Sequence, residues 1–259
     1  MAEKNNEVLQ DTITFDIEVG YKDEQGTVHR EIELRELAGI DEENISKPDI
    51  RQNVGKVITT LISGLVVRIG DITPKTVKSR SKWEKIFRDL PMGDRDKIML
   101  EIRKFSQGNE IELDMKCPSC KQKIKHIVEI DPDIENRPLE VDAFSVPFEL
   151  PKGVRNKENE LCKTGIIRLP NGEDQEQLDS IARKNAGQAN TTLLARVIAE
   201  IDGYGKVALS DIRNMSVRDR DYLIKLLDES GYGPKFVISF PCPTCSEDVE
   251  AGVHPVNFL

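Results

Sequence analysis

Laid over itself at a constant offset of 125 residues, the stretch Leu90–Val128 falls on Met215–Val253 without a gap. Asp94-Arg95-Asp96 then meets Asp219-Arg220-Asp221, Gly108 meets Gly233, Cys117-Pro118 meets Cys242-Pro243, Cys120 meets Cys245 and Val128 meets Val253. Apolar character persists where identity lapses: Ile98 with Leu223, Ile102 with Leu227, Leu113 with Ile238, and Ile124 with Val249. Further upstream the offset becomes 132, and Thr59-Thr60-Leu61 meets Thr191-Thr192-Leu193; at 133, Arg35, Gly39 and Asp41 meet Arg168, Gly172 and Asp174. The larger upstream offset implies a longer connection in the first copy, near Asp71–Lys82. Ordered identities at a nearly fixed period read as an internal duplication, which constrains the fold before any local element does.

Each copy reads as the same series. Alternating segments Thr12–Tyr21 and Thr27–Arg35 flank the turn-rich DEQG, and Phe144–Leu150 and Leu161–Leu169 flank a polar stretch, so each copy opens with a β-hairpin. An amphipathic helix follows, carrying Val57, Leu61, Leu65 and Ile69 in one copy and Leu193, Val197 and Ile201 in the other. A second helix is expected over about Arg95–Ser106 and Val217–Glu229. Ser216 is its N-cap in the second copy, with Asp219 three residues on, and Gly93 or Asp94 must cap in the first. The paired Asp-Arg-Asp motifs are thus read as helix-start chemistry, carboxylates facing the positive end of the dipole and the arginine bridging to a nearby acid.

Each copy ends on a strand, a CPxC turn and a second strand. Ile111, Leu113 and Met115 alternate before Cys117, as Phe236, Ile238 and Phe240 do before Cys242. Two cysteines at this spacing on a hairpin tip form a zinc-ribbon knuckle, yet one knuckle supplies two ligands where structural zinc takes four. Neither copy has a second pair. His29, His126 and His254 do not repeat, and Cys162 stands alone as a buried, inert thiol. The economical reading is one shared Zn2+ per chain, held by Cys117, Cys120, Cys242 and Cys245 and joining two pseudo-twofold lobes. A redox CxxC belongs at a helix N-terminus, whereas charged, strand-like sequence follows both pairs here. Free thiols, or a disulfide within each pair, are the other readings. The expected fold class is therefore α+β and internally duplicated, each half a β-hairpin, two helices and a CPxC-tipped hairpin. The division is an N-terminal arm at 1–11, a first lobe at 12–135 and a second at 136–259.

Composition removes several functions. A formal charge of -9 argues against a general nucleic-acid binder, and the basic stretch Lys75–Lys85 is read as a solvated face. No run of 18 uncharged apolar residues offers a membrane span, and the first residues lack the apolar core of a secretion signal. No glycine-rich phosphate loop, HExxH or GxSxG is present, and a closed four-thiolate site has no open coordination position. The expectation is a non-enzyme without a small-molecule substrate.

Several stretches, in order, resemble the base-plate protein family of T-even-like contractile-tail phages. They are IELRELAGIDEE (Ile32–Glu43), the apolar ITTLISGLVVRIG, and LPMGDRDKIMLEIRKFSQGNEIELDMKCPSC, covering about Thr12–Val128 with an echo over Phe144–His254. The resemblance implies a non-enzymatic component of the tail base plate, near the hub, with other phage tail and base-plate proteins as partners. It implies residence in the virion after assembly in the host cytoplasm. Two alternatives stand beside it: a tail-assembly chaperone absent from the virion, and a zinc-ribbon protein associated with nucleic acid.

Overall fold

The computed structural model describes residues 11–253. Apart from Asp11, the expected N-terminal arm lies outside these residues, as does His254. The chain is a mixture of helix and strand. The first half opens with the antiparallel pair β1 (Thr12–Lys22) and β2 (Val28–Arg35). Then come α1 (Gly39–Ile45), the short α2 (Pro48–Arg51), α3 (Val54–Leu65) and β3 (Val66–Ile69), which returns to pair with β2. The helices α4 (Pro74–Val77), α5 (Arg80–Asp89) and α6 (Met92–Gln107) lead to the hairpin of β4 (Glu110–Lys116) and β5 (Lys123–Glu129). A turn of helix, α7 (Ile130–Asp133), and the two-residue β6 (Asn136–Arg137) pass into the second half.

There the order recurs: β7 (Val146–Arg155), β8 (Leu161–Ile167), α8 (Gly172–Ala182), α9 (Ala186–Val197), β9 (Ile198–Ile201), α10 (Leu209–Asn214) and α11 (Val217–Glu229). After the two-residue β10 (Gly233–Pro234), which pairs with β6 across the halves, come β11 (Val237–Pro241) and β12 (Asp248–Gly252). Both three-stranded sheets have the simple order first, second, third. Apolar side chains collect into three cores. One is built around Leu61, Phe87 and Ile98 of the first half, one around Phe148, Leu194 and Leu223 of the second, and one from both CPxC hairpins together.

Several expectations are corrected. The amphipathic helix does not run to Ile69 or Ile201: it stops at Leu65 and at Val197, and the next four residues are strand. Val66, Val67 and Ile69 are β-branched, and the free edge of β2 offers them ladder hydrogen bonds that outweigh the helical period. Each half also holds more than two helices, since α1 and α8 occupy the segments carrying the Arg/Gly/Asp identities. The second main helix of the first half starts at Met92 behind Pro91, with no side-chain cap, so neither Gly93 nor Asp94 caps it. In the second half Ser216 does accept from Asp219 N–H. The extra length near Asp71–Lys82 is taken up by α4 and the start of α5. Lysines 75, 78, 82 and 85 there are exposed, as a solvated face requires.

The Asp-Arg-Asp motifs turn out to be long-range ties. The Asp94 carboxylate is fully buried and accepts from the N–H groups of Glu18, Val19 and Gly20 at 3.0, 3.2 and 2.7 Å. These N–H groups are freed by the register shift between Asp16 and Tyr21 in the first hairpin. Asp219 repeats this on the bulge of β7, accepting from Lys152 N–H at 2.7 Å. Among the described residues the arginines bridge to no acid. Arg95 donates to the Phe87 carbonyl at 2.6 Å and the Thr59 hydroxyl at 3.2 Å, and Arg220 to Thr191 at 2.6 Å.

A second tie anchors α1 and α8. Arg35 grips Asp41 with both terminal nitrogens, at 2.8 and 2.7 Å, and reaches the Gly64 carbonyl at 2.8 Å. Arg168 does the same to Asp174, at 2.7 and 3.1 Å, and reaches the Arg196 carbonyl at 3.2 Å. Two parallel charge-assisted bonds fix the helix start against the end of the second strand.

The halves meet through α8, whose first turn lies against α3 and α5. The Asn53 side chain donates to the Glu176 carbonyl at 2.7 Å, and the Glu176 carboxylate takes the Thr59 hydroxyl at 2.6 Å and Arg88 Nε at 2.9 Å. Gly55 is required here, because a Cβ would stand 2.6 Å from the Glu176 nitrogen. The contact is one-sided: among the described residues no hydrogen bond or ion pair joins α1, in the position equivalent to α8, to α9. The expected pseudo-twofold relation of the lobes therefore does not extend to this contact.

Burial pushes the Asp174 carboxyl up, but Arg168 and Arg196 outweigh it, and the net shift is downward. Its contribution to stability is thus present above the unfolded carboxylate range and is lost as pH falls through the folded value. Asp174→Asn should cost roughly 3–5 kcal/mol at neutral pH, the loss typical of breaking a buried ion pair. Urea denaturation of both proteins should show that difference shrinking toward pH 3.

Candidate metal centre

Strand alternation brings the thiols to the hairpin tips. In the first hairpin Met115 pairs with Ile124 and Lys116 with Lys123, and the ladder closes with Cys117 N–H donating to Gln122 O at 2.9 Å. Lys121 N–H returns to Cys117 O at 3.0 Å, with Lys121 in the left-handed region at φ 63°. The second hairpin repeats each step: Cys242 N–H to Glu247 O at 2.8 Å, Ser246 N–H to Cys242 O at 2.9 Å, and Ser246 at φ 61°. Pro118 and Pro243 occupy matching exposed turn positions.

The two tips then face each other. Cys117 Sγ lies 3.8 Å from Cys245 Sγ, Cys120 Sγ lies 3.8 Å from Cys242 Sγ, and all four sulfurs are within 4.8 Å of one another. Among the described residues this is the one cluster of cysteine, histidine or carboxylate side chains able to hold a metal ion. Beneath it the hairpins form a joint apolar core of Ile111, Ile124 and Val128 with Ile238, Phe240 and Val249. At its side the His126 ring stacks on Phe240, centroids 3.8 Å apart and planes 5° from parallel. His126 thus packs the hairpins together, and that role was not visible in its spacing. His29 is bound instead to Asp23, at 3.1 Å.

The geometry separates the readings of these cysteines. All five thiols are free, so the pairs hold no disulfide. Four sulfurs about 2.3 Å from a common ion at tetrahedral angles stand about 3.8 Å apart, which matches both cross-hairpin distances. Neither knuckle opens a helix, so no dipole lowers a thiol in the manner of a redox CxxC. The N–H of Cys120 draws the Cys117 thiol down to about 6, and those of Cys245 and Thr244 lower Cys242. The Glu247 N–H favours ionised Cys245, but burial and the thiols of Cys242, Cys120 and Cys117 push it up to about 12. The shifts thus run in opposite directions within one cluster, and a cation at its centre would favour the ionised form of each thiol. Cys162 is buried away from the cluster, its sulfur 3.8 Å from the Glu160 carbonyl.

Because each knuckle contributes half of one cluster, Cys117→Ser and Cys242→Ser should lower the melting temperature by similar amounts. Cys162→Ser should leave any bound metal in place. Damage confined to one hairpin, read by thermal denaturation with metal analysis, would show that the tips do not share a site.

A family model described as T4 bacteriophage base plate protein matches residues 68–211, a span that includes Cys117 and Cys120 and ends before Cys242. No curated protein and no solved structure matches the chain.

Proposed function

Because the chain belongs to the T4 bacteriophage base plate protein family, we propose that it is a non-enzymatic structural component of a phage tail base plate, near the hub. In this reading one structural zinc, bound by Cys117, Cys120, Cys242 and Cys245, clasps two lobes that arose by duplication. The observation that carries the clasp is the convergence of four thiols from hairpins more than a hundred residues apart, at the spacing of a tetrahedral site. A common origin of the halves is supported by paired ties at equivalent positions: Arg35–Asp41 with Arg168–Asp174, and Asp94 with Asp219 on matching bulges.

A closed set of thiolates leaves the metal no position for a substrate, so its contribution is rigidity between the hairpins. The partners are other tail and base-plate proteins, and the site of action is the virion tail after assembly in the host cytoplasm. A tail-assembly chaperone with the same fold differs only in leaving before the virion is complete. The acidic surface disfavours the nucleic-acid reading.

Metal analysis of the reduced, purified chain should give about one zinc per chain. Chelation should lower the melting temperature, since metal binding and folding of the hairpin core are linked. Two metals per chain, or none, would remove the shared clasp. Mass spectrometry of purified virions should detect the chain. Its absence there with abundance in infected lysate would move the reading to the chaperone.

A further inference from the structure

The groove on the first lobe that receives α8 is built from Asn53, Gly55, Thr59, Arg88 and Arg95. At the offsets of the two halves these positions become Asn185, Gly187, Thr191, Arg213 and Arg220, identical at all five. The internal geometry is also kept. Asn185 Oδ1 accepts from Gln188 N–H at 3.0 Å, as Asn53 Oδ1 does from Lys56 N–H at 3.0 Å. The Thr191 hydroxyl lies 2.9 Å from the Gly187 carbonyl, as Thr59 lies 3.0 Å from that of Gly55. What differs is the covering. Gly55 and Arg95 are buried under α8, whereas Asn185, Gly187 and Arg213 are exposed around an open cavity that Arg220 also lines.

The docking element recurs as well. Gly172 and Glu176 of α8 correspond to Gly39 and Glu43 of α1, and Gln175 corresponds to Glu42. The matching arginine clamps, Arg35–Asp41 and Arg168–Asp174, hold the two helices alike on their own lobes. Glu42 and Glu43 are exposed and carry no ion pair among the described residues. Two glycines point the same way. A Cβ on Gly55 would strike the Glu176 backbone at 2.6 Å, and one on Gly172 would strike the Arg95 guanidinium. On Gly187 it would meet only the Asn185 side chain at 3.4 Å, and on Gly39 nothing within 4 Å. Neither Gly187 nor Gly39 has a positive φ, so within one chain neither needs to be glycine. Both stand where a docked copy would come closest.

We propose that α1 of one copy docks into the α9–α11 groove of a second copy, repeating between chains the contact that α8 makes within one. Glu43 meets Thr191 and Arg213, and Glu42 meets Arg220, acidic side chains on one surface against arginines on the other. Donor helix and acceptor groove are different surfaces, so the contact is heterologous and extends into a ring or filament. This goes beyond the base-plate reading and stands whether or not the chain remains in the virion.

Sedimentation velocity on the full, metal-loaded chain should show association that grows with concentration. Arg213→Glu and Glu43→Arg should each weaken it by at least about tenfold, as loss of a buried interfacial charge pair does. Gly187→Ala should weaken it while leaving the melting temperature of the monomer unchanged or slightly raised. Mixing the Arg213→Glu and Glu43→Arg proteins should restore association lost by each alone, because each supplies the surface the other lacks and the reversed charges also pair. A wild-type chain that stays monomeric up to its solubility limit would overturn the proposal, as would association indifferent to all three substitutions.

Discussion

Arg95 carries a guanidinium into an interior where, among the described residues, no carboxylate bonds to it directly, though Glu176 and Asp96 lie near enough to favour its charge. Its neighbours are the Phe87 carbonyl, the Thr59 hydroxyl and, from the other half of the chain, Gln175 Oε1 at 3.3 Å. Burial lowers its pKa to about 10, so it still holds its proton at neutral pH. Only its two terminal nitrogens find partners, Nε having none among the described residues, so each of these dipoles counts toward holding the charge inside the protein. That requirement couples α3, α5 and α6 to α8. The ties around Arg95 hold the two lobes in register, and the lobes in turn set the bases of the two CPxC hairpins.

The hairpins impose the second constraint. Their apolar core is distinct from those of the two halves, touched from α6 by Leu100, and they meet each other at a small interface of Ile111, Ile238, Phe240 and their neighbours under four thiols. A core this small gains much from a cross-link, and four sulfurs at tetrahedral spacing are suited to an ionic one. The lobe contact itself is asymmetric although the sequences of the halves are alike. An asymmetric contact between similar units leaves one copy of each surface unused, which is where outward binding begins.

Much of this was legible from spacing. The alternation before Cys117 and Cys242 reads as strand because a period of two survives in any half-buried hairpin. The equivalence of the cysteine pairs needs only the offset of 125 residues. The transitions at Leu65 to Val66 and Val197 to Ile198 were not legible, because an apolar run satisfies helix and strand alike until a sheet edge is present to choose. Nor was the role of Asp94. A carboxylate near a helix start has a local explanation, and its real partners lie some 75 residues away on a bulge.

The sequence by itself determined the opening hairpins, the two knuckles and which residues of the two halves correspond, since these follow from local pattern and from repetition. Only the tertiary structure decided which surfaces meet. Identical motifs in the two halves cannot say that α8 is seated and α1 is free, because that choice belongs to how the lobes pack and to the glycines and arginines their packing buries.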